Sequence, residues 1–94
     1  MRPYEMMVLL EADLEDHSAE LDGIKEVIAK LGGDVDKVDI WGKRRLAYPI
    51  DKRTEGYYAL VYFKLDPSKQ KEMTRLLSLR TAIVRNLVIR LDQE

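Results

Sequence analysis

Apolar residues recur with two different periods along this chain, and the switches between those periods lay out its elements. Over residues 4–10, Tyr4, Met6, Val8 and Leu10 alternate with Glu5, Met7 and Leu9, which is the two-residue period of a strand. An acidic lead-in occupies 13–16, and Leu21, Ile24, Ile28 and Leu31 then follow at helical spacing, with Val27 beside them. Carboxylates early in a helix suit its positive N-terminal end, and Gly32-Gly33 supplies a stop. Residues 35–50 predict one long extended segment, kinked near Gly42, because a glycine inside a strand pattern marks a bulge. Residues 51–56 predict a polar hairpin loop and 57–65 a third strand. Asp66 then caps a second helix that Pro67 opens, with Met73, Leu76 and Leu77 as its apolar face. A last strand over about 83–91 precedes a charged end, 92–94, that is expected to fray.

The resulting order, β-α-β-β-α-β in one domain over 1–94, predicts an α+β ferredoxin-like sandwich. Its four-stranded antiparallel sheet would carry two helices on one face. Right-handed crossovers put the first and third strands in the centre and the second and fourth at the edges. Pro49 agrees, since a missing N–H donor is tolerated on an edge. Lys43, Arg44 and Arg45 share that strand, where charge also discourages edge-to-edge aggregation.

The two central strands are apolar on both faces. Helices cover only one, so Met7, Leu9, Tyr58, Leu60 and Tyr62 are expected to form an apolar-aromatic patch on the other. A protein partner, a second copy or stacked RNA bases could each cover it, although half-exposed Tyr and Met on an open sheet are also ordinary.

Composition narrows the function classes. The net charge of −1 conceals an asymmetry: residues 1–41 hold four Lys/Arg against eleven Asp/Glu, and 42–94 hold twelve against six. Such a chain is basic on some elements and acidic on others, which favours a directed polyanion contact over indiscriminate binding. With no cysteine and one histidine there is no disulfide framework and poor material for a metal site. The first residues carry no signal-peptide core and no run is long enough to span a membrane, so a cytoplasmic protein is expected.

No catalytic constellation assembles either. His17, at the start of the first helix, is expected to be a surface histidine. Glu11, Asp13, Glu15 and Asp16 lack the ligand spacing and turn glycine of a calcium loop. Gly32-Gly33 closes a helix instead of opening one, as a phosphate loop would. The acidic loop after the first strand would repel the anionic substrate of an acylphosphatase-like enzyme. An RNA-recognition module shares the strand order, but Gly56-Tyr57-Tyr58-Ala59 lacks the opening of its third-strand motif.

Gly42-Lys43-Arg44-Arg45-Leu46-Ala47-Tyr48-Pro49-Ile50 closely resembles the signature of the bacterial small-subunit ribosomal protein six family. Arg2-Pro3-Tyr4-Glu5 resembles that family's opening, and Gly32-Gly33 followed by Val38-Asp39-Ile40-Trp41-Gly42 its second-strand entry. Glu55-Gly56-Tyr57-Tyr58 and Val84-Arg85-Asn86-Leu87-Val88-Ile89-Arg90 resemble its third-strand start and last strand. The resemblance implies a non-catalytic protein with no cofactor and no small-molecule substrate. It would pair with small-subunit ribosomal protein eighteen and bind the central domain of small-subunit ribosomal RNA. It also implies that Lys43, Arg44 and Arg45 face RNA or the partner, with Arg2, Arg85 and Arg90 as further candidates. Strand alternation sends Arg85 and Arg90 to opposite faces.

Two departures stand out: Asp51 lowers the positive charge at the hairpin, and the long acidic tail of some members does not follow the last strand, so the modification known on such tails is not carried over. The competing reading is a regulatory or interaction module that dimerises through its open sheet face, with the basic strand merely protecting an edge.

Overall fold

The computed structural model describes residues 1–50 and 52–92. Strand β1 (Arg2–Leu10) leads to helix α1 (His17–Lys30), β2 (Asp34–Ile50) and β3 (Arg53–Leu65). A 3-10 turn (Pro67–Lys69), helix α2 (Gln70–Ser78) and β4 (Ile83–Arg90) complete the order. The sheet runs β2-β3-β1-β4 with every neighbouring pair antiparallel, which is the predicted arrangement of centre and edges.

One face of the sheet carries the core. Tyr4, Met6, Val8 and Leu10 of β1 and Ala59, Val61, Phe63 and Leu65 of β3 are buried under Leu21, Ile24 and Ile28 of α1 and Met73 and Leu77 of α2. Tyr4 and Phe63 face each other across the β1–β3 ladder and stack at 5.4 Å. Helix α1 starts where the Asp16 carboxylate accepts from the N–H of Ala19, satisfying one of the helix's free donors. It ends where the N–H groups of Gly32 and Gly33 return to the carbonyls of Ala29 and Ile28. Arg80, beyond α2, reaches back to Glu20 of α1 at 2.7 Å and ties the two helices' ends together.

Three expectations are corrected. Strand β3 begins at Arg53, not at Tyr57, so most of the predicted six-residue loop is strand. Its polar residues looked like loop, yet Arg53 belongs to the ladder and pairs Glu11 through its side chain. Lys52 turns the corner with φ +67°, and Asp51 lies outside the described residues, as do Gln93 and Glu94. The second helix opens as a 3-10 turn capped by Asp66, whose carboxyl is held below its ordinary range chiefly by the Ser68 N–H.

His17 is the third. It is half-buried and stacks flat on Tyr57, with ring centroids 3.7 Å apart, while Nε2 donates to the Glu11 carbonyl at 2.9 Å. It fastens the start of α1 to β3.

Candidate nucleic-acid interface

The register of β2 against β3 decides where the basic run points. Asp36 and Trp41 each fall between paired residues as bulges, and Gly42 sits at φ +82°, a backbone state open to glycine at little cost. After the second bulge Gly42 pairs Tyr58, Lys43 pairs Tyr57, Arg44 pairs Gly56 and Arg45 pairs Glu55. Paired residues share a face, so Arg44 projects on the open side of the sheet, while Lys43 and Arg45 project on the helix side.

Pairing then stops and resumes only at Ile50 with Arg53, so residues 46–49 stand against the single residue Thr54. The surplus chain bends away from the ladder and over the open face. Leu46, Ala47, Tyr48 and Ile50 there form one wall of a groove of about 350 Å³ whose other wall and floor include Met7, Leu9, Tyr58, Arg85 and Leu87. Pro49 lies inside this unpaired stretch, so its missing donor costs no ladder bond at all.

This bend corrects one predicted surface residue. Leu9 points to the open face but is only 2% exposed. A Cβ on Gly56 would overlap the Leu9 methyl, so the bare glycine makes room for Leu9. Met7, Tyr58, Leu60 and Tyr62 remain half-buried on that face. They are joined by Leu87 and Ile89 of β4, 55% and 48% exposed, which pair Met7 and Glu5. Those two were missed, although the alternation Arg85, Leu87, Ile89 in the last strand could have revealed them. Tyr62 donates to Glu5 at 3.4 Å, and partial burial together with that carboxylate pushes its hydroxyl above its ordinary pKa.

The candidate cations divide between the two ends of the sheet. Arg85 pairs Leu9, and so lies on the open face at the same end as Arg44; among the described residues neither it nor Arg45 forms a salt bridge, although Arg45 stands across the ladder from Glu55. Arg44 donates to the backbone carbonyl of Lys43 at 3.1 Å. Among the described residues Lys43 has only the exposed Asp13 at 4.0 Å, a loose contact worth little in water. Arg53, by contrast, grips Glu11 through Nε at 2.9 and 3.0 Å and holds that carboxyl below its ordinary pKa.

Arg2 and Arg90 lie toward the opposite end, about 20–30 Å from Arg44 along β3. Both engage Asp92, Arg2 at 3.4 Å and Arg90 at 2.7 Å, and Asp92 is held below its ordinary carboxyl pKa by Arg90 first and Arg2 after it. The structure thus gathers Lys43, Arg44, Arg45 and Arg85 around one end and leaves Arg2 and Arg90 in a separate cluster that Asp92 neutralises in part. No helix among the described residues is long and apolar enough to cross a membrane.

The family model for ribosomal protein S6 matches residues 3–90 of the chain. The chain belongs to the ribosomal protein S6 family. The small ribosomal subunit protein bS6 of Corynebacterium glutamicum is 46% identical over 95 residues, covering 99% of this chain and 100% of that one. The bS6 of Paenarthrobacter aurescens is likewise 46% identical, over 96 residues and 95% of its own length. The crystal structure of 30S ribosomal protein S6 from Thermotoga maritima superposes with a TM-score of 0.86 at 29% identity, covering 95% of this chain and 86% of that one. As a ribosomal protein S6 of the small subunit, the chain is a component of the cytoplasmic ribosome.

Proposed function

We propose that this member of the S6 family acts without catalysis, binding the central domain of small-subunit ribosomal RNA jointly with small-subunit ribosomal protein eighteen. The observation that carries the reading is the end of the sheet where Lys43, Arg44, Arg45 and Arg85 gather, Arg85 lining the apolar groove on the open face, and where the one salt bridge to them among the described residues is the loose Lys43–Asp13 contact. Cations in that condition are free to meet phosphate oxygens, which position a protein on RNA without reading its sequence. Specificity then comes from the shape of the RNA junction and from the partner protein. The open face, with Leu87 and Ile89 uncovered in the isolated chain, suits a protein neighbour in the assembled particle.

A net charge of −1 gives the chain alone little long-range attraction for RNA. Binding is therefore expected to be weak alone and cooperative with a basic partner, the coupling being reciprocal. The test is a titration of a central-domain RNA transcript with the chain, with protein eighteen, and with both. Tighter binding of the two together supports the reading. Absence of RNA binding even with the partner present, or a tight homodimer of the chain alone, favours the dimerising interaction module.

A further inference from the structure

We propose that Trp41 is a stacking platform for an unpaired base of the ribosomal RNA, with Arg44 and Arg45 holding the neighbouring phosphates; the proposal rests on the RNA-binding reading above. Trp41 is the extra residue of the β2 bulge, standing between Ile40, which pairs Ala59, and Gly42, which pairs Tyr58. Bulges re-aim side chains out of the ladder, and this one depends on a glycine at φ +82° with open space around it. The outcome is an indole 50% exposed on the outer edge of the sheet.

An indole set beside cations is the pairing that single-stranded RNA requires: a flat apolar face for the base and positive charge for the backbone. Arg44 and Arg45 follow within about 10–13 Å of strand and are exposed.

A protein neighbour fits this position less well. Tryptophan anchors of protein interfaces sit in a pocket near the centre of an apolar patch. Trp41 does not line the groove; of the other exposed apolar residues, Leu87 and Ile89 lie on β4 at the far edge of the sheet, Tyr48 belongs to the groove wall, and Ile40 is its one exposed apolar neighbour in sequence. Apart from Ile40, its sequence neighbours are Asp39, a glycine and three cations.

Trp41 is the sole tryptophan, so its own emission reports on the contact. Protein eighteen added alone should leave the fluorescence unchanged, and the central-domain transcript added to the pair should quench it. Trp41→Ala should weaken RNA binding of the pair about 5- to 100-fold without changing its salt dependence, since no charge is lost, and Trp41→Phe should recover most of the affinity. Unchanged emission while RNA binds, or Trp41→Ala binding as tightly as the parent, overturns the stacking role and leaves RNA binding standing. A blue shift on adding protein eighteen alone assigns Trp41 to the protein contact and also overturns it. If the unaltered pair binds no RNA, both readings fall.

Discussion

The two ends of the sheet carry the same kinds of side chain under opposite conditions. At the end where β1 begins, Arg2 and Arg90 converge on Asp92, and Ile89 is left bare on the open face. At the end where β1 finishes, the bent segment after Arg45 covers Leu9, while Arg44, Arg45 and Arg85 form no salt bridge among the described residues. The first end neutralises half of its positive charge through Asp92 and leaves apolar surface uncovered. The second buries apolar surface and leaves its charges available. A surface cation that is already neutralised has little to offer an incoming phosphate, so availability of charge separates the two ends better than the number of arginines does.

The largest expected effect breaks the comparison at its charged end. Replacing Lys43, Arg44 and Arg45 together by Ala should weaken RNA binding of the partnered complex by about 100-fold and reduce the salt slope by about 2–3. The melting temperature should barely move, because exposed charges contribute within about 0.5 kcal/mol each. Arg2→Ala with Arg90→Ala should leave the slope nearly unchanged. Equal loss from both sets would show that the local neutralisation by Asp92 is irrelevant to binding. A collapse of stability in the triple variant would make those side chains structural.

The next effect tests the apolar half of the contrast. Leu9→Ala removes a side chain that the chain itself has covered and should cost about 2 kcal/mol, the low end for a buried leucine because the hole opens into the groove. Ile89→Ala, on the bare end of the same face, should cost within about 0.5 kcal/mol. Chemical denaturation of both variants checks the pair. Similar costs for the two would mean that the bent segment shields nothing.

Leu9 also shows where a periodic reading stops working. Alternation assigned it to the open face and did so rightly, but the period of a strand is silent about where ladder pairing ends. The bend arises because residues 46–49 oppose one residue of β3, a mismatch between two strands that neither strand's own pattern contains. The Gly42 kink, in contrast, was legible, since a glycine interrupting a strand has few physical uses. Pro49 was placed on the right strand for a weaker reason than the true one: it lies beyond the paired stretch altogether. The start of β3 was hidden because Arg53 and Glu55 look like loop residues until Glu11 is known to face Arg53. The strand order and both helices were readable because each rests on local periodicity and capping. The grouping of Arg44 with Arg85 depends on three inter-strand registers, and strand order alone places them only at opposite edges of the sheet.

The smallest effect sharpens the partly neutralised end. Asp92 accepts from Arg90 Nε at 2.7 Å and faces Arg2, and the neighbouring Leu91 N–H bonds to the Pro3 carbonyl, so the cluster clips the end of β4 to the start of β1. The Asp92 carboxyl titrates below its unfolded value of about 3.8. The sign follows from linkage: ionised Asp92 stabilises the fold above that unfolded value, and the contribution is lost as the pH falls through the lower folded value. Asp92→Asn should therefore lower the melting temperature slightly near neutral pH, and the gap from the parent should close as the pH falls below the unfolded value of about 3.8. The same substitution releases Arg2 and Arg90 without adding a charge of its own. If neutralisation is what distinguishes the two ends, non-specific RNA binding should then gain a salt slope of about 1. A slope identical to that of the parent would mean that Asp92 is not what keeps these arginines from RNA, and the contrast between the ends would have to rest on their apolar surfaces alone.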